Sequence, residues 1–450
     1  MKKLRPVQWI IAGLMLLTAC GSPLPTATAS PPPTVAPRMT VVPSPTRKPS
    51  PTMTVAPPTP TAATRPTADV SWLDEAPASE TAFTIPLMTR HVTVDSATLQ
   101  FALTESETAE LFVWPADSAS EPQRWPLGER ADGLITVEGL TTGTRYQAAL
   151  LVGEPMARPI FEKTIWPEIS FSTQSDRGFP LRIAVIGDSG FGDATTEALA
   201  VEMVAADPDL VLHTGDLVYR INENPDAPTA FIEKLFKPFA PVLQVGPFYP
   251  VPGNHDLEAA ARWGDSTYYF TAFPRLDGGG VETPVDSQGG WYSFSYGDIQ
   301  FVMLNSQAVF GAGGYQAETD WLAERVAEPA FRATIIVLHV PPRNAGRHRT
   351  DSRIIRSRWG DLLSAPGVVL VLAGHDHNYQ RFENDGVVTL VTGGGSQTLY
   401  SINSEADGLQ LAARRSHFTL LDIGETAIDV SAIDAAGMVF DEARVQLPGP

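Results

Sequence analysis

Four regimes of polarity succeed one another along the chain. Residues 7–19 are apolar and follow the basic start Lys2, Lys3 and Arg5. From 21 to about 70 large apolar side chains nearly vanish. Short alternating runs then appear at 98–103, 109–113, 134–137 and 146–151, separated by residues read as turns. Their period of two predicts a small all-β sandwich over 71–177. From 181 the pattern changes again. Continuous apolar runs at 181–186, 210–212, 335–338 and 368–372 predict buried strands. The segment 195–206 reads as a helix capped by Asp193. The runs 291–296 and 299–304 about Gly297-Asp298 predict a hairpin, and 418–445 is again β-rich. Strands alternating with helices predict a layered α/β domain over 178–450.

The N-terminal apolar stretch is too short to span a bilayer comfortably. It ends in Leu17-Thr18-Ala19-Cys20, which resembles a bacterial lipoprotein signal. The resemblance implies a signal over 1–20, a lipid anchor on Cys20, and an exported protein held in the cell envelope or on the cell surface. The alternative is an ordinary signal peptide with an incidental cysteine. Residues 21–70 are rich in Pro, Thr and Ser and cannot bury enough surface to offset chain entropy. They read as a disordered stalk, stiffened where prolines adjoin.

Charge sharpens this division. No Asp or Glu precedes Asp69, whereas seven Lys and Arg do, so the net −19 leaves −26 on the rest. Such a body repels nucleic-acid backbones, and no nucleic-acid partner is expected. A polyanionic substrate would need local positive charge to bind, which a bound metal would supply. Cys20 is the only cysteine, which excludes internal disulfides and Cys-rich zinc sites.

Candidate ligands gather where apolar runs stop. The chain reads Gly187-Asp188-Ser189-Gly190, then Gly215-Asp216-Leu217-Val218-Tyr219, then Gly253-Asn254-His255-Asp256. Val337-Leu338-His339 and Gly374-His375-Asp376-His377 come later. Open α/β sheets build sites at the carboxyl ends of strands. Carboxylate, imidazole, amide and phenol together suit iron, zinc or manganese. The set exceeds what one tetrahedral ion can use, and a carboxylate shared by two ions resolves the excess.

This ordered set resembles the metallophosphoesterase superfamily, and Tyr219 three residues after Asp216 points to its purple acid phosphatase branch. The resemblance covers roughly 181–445 and implies a four-layer α/β/β/α sandwich. The segment 134–146, with Tyr146 as a corner tyrosine, resembles a fibronectin type III strand–turn–strand. By the same resemblance Asp188, Tyr219 and His377 bind ferric iron. Asn254, His339 and His375 bind a divalent iron, zinc or manganese, and Asp216 bridges the two. His255 lies near the phosphate, and His348 matches a substrate-side histidine. Arg349 stands where the family often has another histidine. The implied reaction is hydrolysis of small phosphomonoesters by in-line attack of a metal-bound hydroxide. A phosphodiesterase or nucleotidase of the same superfamily is the alternative, and a non-catalytic envelope binding protein is the alternative of another class.

The remaining polar residues read more plainly. His91, His213 and His417 read as packed or surface residues, and Asp256 and Asp376 as hydrogen-bonding supports beside ligands. Gly393-Gly394-Gly395 lacks a following lysine and reads as a tight turn near the site. Arg343, Asn344 and Arg347 either contact substrate or lie on a solvated loop.

Overall fold

The computed structural model describes residues 83–449, apart from 154–162, 165–167, 258–267, 312–314 and 404. The expected signal, Cys20 and the stalk over 21–70 lie outside the described residues. Among the described residues no helix is long and apolar enough to cross a membrane.

The first part of the chain is all β. Its strands are β1 (Phe83–Val92), β2 (Ser96–Pro115), β3 (Gln123–Glu138), β4 (Arg145–Val152), β5 (Lys163–Thr164) and β6 (Ile169–Ser172). Every pairing among them is antiparallel. The runs at 98–103 and 109–113, read as two strands, are the two halves of the 20-residue β2. Thr104, Glu105 and Ser106 between them are exposed and polar, but no Gly or Pro among them turns the chain. The strand instead shifts register against β3 between Ala102 and Glu107 and exchanges β1 for β4 as its other neighbour. The buried ring of Tyr146 stacks on Phe171, and its hydroxyl accepts from the Thr141 N–H at 2.8 Å.

Polar side chains tie this region to the α/β part of the chain. Gln100 donates to the carbonyl of Ala272 at 3.0 Å and pairs with Arg90, which lies over Phe273. His91 is a packed residue: Nε2 donates to the Gly279 carbonyl at 2.7 Å, which leaves Nδ1 to accept from the Tyr249 hydroxyl at 2.8 Å.

Two further sheets make up that part. β7 (Leu181–Ile186), β8 (Leu210–His213) and β9 (Phe248–Pro250) open the first as parallel neighbours. The second holds β10 (Tyr292–Tyr296), β11 (Ile299–Met303), β12 (Ala333–Val337), β13 (Val368–Ala373), β14 (Tyr379–Asn384), β15 (Val387–Thr392) and β16 (Leu409–Ala413). β17 (His417–Ile423), β18 (Ala427–Asp434) and β19 (Val439–Gln446) return to the first, in the order β19-β18-β17-β7-β8-β9. The hairpin expected about Gly297-Asp298 is β10–β11.

The inner faces of these two sheets share one core. Ile183, Val185, Leu210 and Leu212 from one meet Phe301, Ile335, Val337 and Leu370 from the other. Each such burial contributes about 1.5–3 kcal/mol. The outer face of the first sheet is covered by α1 (Ala194–Ala205) and the short helices between 227 and 243. The outer face of the second is covered by α2 (Tyr315–Val326) and α3 (Arg349–Leu363). The result is a four-layer α/β/β/α sandwich. Asp193 caps α1 as expected, accepting from the N–H groups of Thr195 and Thr196. α3 buries Ser352, Ile355, Trp359 and Leu363, a spacing that leaves its other face to solvent.

Candidate metal centre

The loops leaving β7, β8, β9, β12 and β13 are laced together by their backbones. The N–H of Asp188 donates to the Gly215 carbonyl at 3.0 Å, that of Val251 to His213 at 3.0 Å, and that of Gly374 to His339 at 2.9 Å. Residues as distant in sequence as Asp188 and His377 therefore meet in one place.

There the polar atoms form two groups. In the first, the Tyr219 hydroxyl lies 3.0 Å from Asp188 Oδ1 and 2.8 Å from His377 Nε2, and Asp188 Oδ1 is 3.4 Å from that nitrogen. In the second, His339 Nε2 lies 3.2 Å from Asn254 Oδ1 and 3.2 Å from His375 Nδ1. Asp216 Oδ2 reaches the same His339 nitrogen at 3.4 Å. Donor atoms of Asp188, Asp216 and His339 all fall within 4.8 Å of one another and could hold a metal ion.

The outer nitrogen of each imidazole is already engaged. His339 Nδ1 donates to the Thr214 carbonyl and His377 Nδ1 to the Thr398 carbonyl, both at 2.8 Å. His375 Nε2 faces the Asp351 carboxylate at 3.1 Å. These partners orient the three rings so that the other nitrogen of each points inward, where a cation would take the place of its proton.

Two buried carboxylates hold the loops themselves. Asp256 accepts from the N–H groups of Asp216, Leu217, Val218 and Gly253. Burial and the Asp216 charge push its acid up to about 8. The amide donors act the other way without overcoming those two effects, and a cation near Asp216 would favour the carboxylate that all four donors suit. Asp376 accepts from the N–H groups of Arg347 and His348, each at 2.9 Å, and from the Asn344 amide. His348 is thereby set with its ring 4.3 Å from that of His375. His255 donates its N–H to Asp216 Oδ1 at 2.9 Å and turns its ring edge-on to Tyr219.

Close approach constrains the backbone. Asp188, Asp216 and His375 sit at φ of 60°, 56° and 69°. Non-glycine residues in this left-handed region cost about 1–3 kcal/mol each and cluster at functional sites. A Cβ on Gly253 would overlap the Asp216 carboxylate, so only glycine fits there.

Electrostatics favour a cation. Burial alone would raise the two aspartates, yet His377 and His339 hold Asp188 below its usual range, and His339 and His255 hold Asp216 lower still. Burial would lower His339, but Asp216 and Asp188 outweigh it and raise the ring to about 9. His377 is raised in the same way, chiefly by Asp188. Burial, then Asp188 and Asp216, lift the Tyr219 phenol well above its usual value. The cluster thus stores negative charge that only imidazole protons balance, and a cation in their place suits the donor set.

All nine expected site residues are brought to this cluster or its edge. Sequence reasoning missed Asp351, Tyr400 and the carbonyls of Thr214 and Thr398. Tyr400 stacks on His377 with ring centroids 4.0 Å apart. His213 is structural as expected: its Nε2 meets the Ser189 hydroxyl at 2.8 Å and its Nδ1 accepts from the Gly215 N–H. His417 is buried against Thr392. Gly395 donates to the Gly187 carbonyl, so the glycine run is a turn packed behind Asp188.

Comparison with known proteins bears on this geometry. Residues 181–379 match the calcineurin-like phosphoesterase family. Purple acid phosphatase 23 of Arabidopsis thaliana is 27% identical over 280 residues, covering 55% of this chain and 57% of that protein. Probable purple acid phosphatase 20 of the same plant is 30% identical over 222 residues, covering 48% and 49%. The chain thus spans about half the length of these relatives. A purple acid phosphatase from yellow lupin (Lupinus luteus) seeds superposes with a TM-score of 0.60 at 17% identity over 80% of this chain and 74% of its own. PhoD superposes at 0.58 and 12% identity over 81% and 89%. At these identities the two structures establish shared fold.

Proposed function

From a chain whose residues 181–379 match the calcineurin-like phosphoesterase family, we propose a hydrolase that cleaves small phosphate monoesters at a two-ion centre. The observation that carries this reading is the pair of donor groups joined through Asp216. Asp188, Tyr219 and His377 would hold ferric iron. Asn254, His339 and His375 would hold a divalent iron, zinc or manganese, with Asp216 shared. Such ions supply positive charge to a phosphoryl group and acidify a water.

The chain's own residues do the rest. Thr214, Thr398 and Asp351 keep the imidazole nitrogens aimed inward. Asp216 holds the His255 backbone, which sets that ring beside Tyr219 at the edge of the first group. His348, held over His375 by Asp376, would donate to a phosphoryl or leaving oxygen. Tyr219 favours the monoesterase reading over a diesterase or nucleotidase. Its buried phenol ionises only against a strong compensating charge, and a ferric phenolate absorbs visible light.

By the same reasoning the N-terminal β region is fibronectin type III-like, supported by the Tyr146–Thr141 bond. The protein is held at the envelope by a lipid on Cys20.

Metal analysis with a visible spectrum, together with rates on a monoester and a diester, tests the proposal. Two ions, a visible band lost in Tyr219→Phe, and faster monoester cleavage are expected. A diester preference transfers the reading to the sister activity. Bound metal without hydrolysis leaves a binding protein.

A further inference from the structure

Beside the metal centre lies a line of arginines, at whose far end Asp361 and Asp385 border the same hollow as Arg356. Positions 347–358 hold five arginines and a single acid, Asp351. The surrounding body, from Asp69 onward, carries −26. Several arginines elsewhere find carboxylates: Arg182 pairs with Asp422, Arg332 with Asp298, Arg381 with Asp441 and Arg444 with Asp429. Arg347, Arg349, Arg353 and Arg356 are exposed, and none forms an ion pair among the described residues.

Their placement leads away from the site. Arg347 lies over Tyr400, its guanidinium 5.0 Å from a ring that itself stacks on His377. Arg349 reaches the Asn403 amide. Arg353 turns back one helical turn to the Thr350 hydroxyl at 3.1 Å, next to the Asp351 that meets His375. Arg349, Arg353 and Arg356 fall at i, i+4 and i+7 on α3, one face extending about 10 Å along the axis.

The fold gains no ion pair from this arrangement. Like charges four apart on a helix repel, and Arg349 occupies the first turn, where the helix dipole already presents positive charge. An anion lying along the line would reverse both penalties.

We propose that this face of α3 is a subsite for substrates whose leaving group carries further phosphoryl groups. One phosphate sits at the metal centre while the next is held by Arg347, Arg349, Arg353 and Arg356. This rests on the phosphatase reading of the centre. A small ligand is favoured over an anionic macromolecule, because the acidic body repels an extended polyanion while leaving this local positive line open to a compact one.

The test uses the metal-loaded full chain and a matched pair of probes, fructose 6-phosphate and fructose 1,6-bisphosphate. Each is read as a competitive inhibition constant against p-nitrophenyl phosphate. The bisphosphate binds more tightly to the unaltered protein. In the double variant Arg353→Glu/Arg356→Glu its constant weakens about fivefold to tenfold, while that of fructose 6-phosphate and the rate on p-nitrophenyl phosphate stay in place. Equal constants for the two sugars in the unaltered protein, or an equal loss for both in the variant, overturn the subsite. An unchanged bisphosphate preference with lost sedimentation on phosphatidylserine vesicles also overturns it and makes the face a membrane contact. Failure of the unaltered two-ion protein to hydrolyse p-nitrophenyl phosphate sinks the phosphatase reading itself.

Discussion

The carboxylate of Asp351 stands 3.1 Å from Nε2 of His375, while Nδ1 of the same ring faces His339 at 3.2 Å. One end of the imidazole is thus fixed from α3 and the other is left for a cation. Carboxylate partners of this kind contribute about 10–100-fold to metal affinity. Asp351→Ala should weaken binding of one of the two proposed ions by that factor and leave the other, with Asp351→Asn intermediate. Calorimetric titration of metal-free protein with zinc reads both steps. Two unaltered steps would show that Asp351 does not position the ring.

Asp256 gathers four backbone N–H groups beneath the Asp216 loop. In Asp256→Asn an amide NH2 would face donors that no longer have an acceptor. Stability should fall by about 3 kcal/mol, since bonds to charged groups are worth about 1.5–3 kcal/mol and are costly to leave unmade. Thermal unfolding of the metal-free variant measures this. An unchanged midpoint would mean the loop holds without its carboxylate.

Gly253→Ala puts a methyl group into the Asp216 carboxylate. Displacing that side chain by about an ångström should lower the proposed phosphatase activity about a hundredfold or more. Gly424→Ala, whose added Cβ meets its nearest neighbour at an ordinary 3.7 Å, is the control and should retain full rate. Equal rates in both variants would contradict the packing described.

Burial lowers His91 and His417 to about 4 each. Unfolded histidine titrates near 6.5, so the unfolded chain takes up these protons first. Stability is complete above about pH 6.5 and falls as pH drops towards 4. The loss approaches about 3 kcal/mol per ring at about 1.4 kcal/mol per pH unit. His91→Gln should therefore show a shallower decline of unfolding temperature between pH 7 and 4.5 than the unaltered protein. Parallel curves would indicate that His91 is free to protonate in place.

The layers and the ligands were legible in the sequence for one reason. Continuous apolar runs end at Gly187, Gly215, Gly253 and Gly374, and the residues just after them are chemically conspicuous. The hidden part lies in contacts that leave no mark on local pattern. Asp351 is an ordinary acid in the first turn of a helix until packing brings it to His375, 24 positions away. The carbonyls of Thr214 and Thr398 are backbone atoms that any residue could supply. The join of two expected strands into β2 was missed because polarity at 104–106 imitates a turn while the backbone stays extended.

The contacts made by Arg90, His91 and Gln100 bind the fates of two parts of this protein. Removing them would strand the Ala272 carbonyl in the interior at about 1–3 kcal/mol and take a partner from the Gly279 carbonyl and the Tyr249 hydroxyl. The N-terminal sheet is therefore no interchangeable bead on a string. Grafting a foreign module of similar shape in its place would fail unless the graft carried the same three polar anchors, and natural variation on either side of the seam must be compensated on the other.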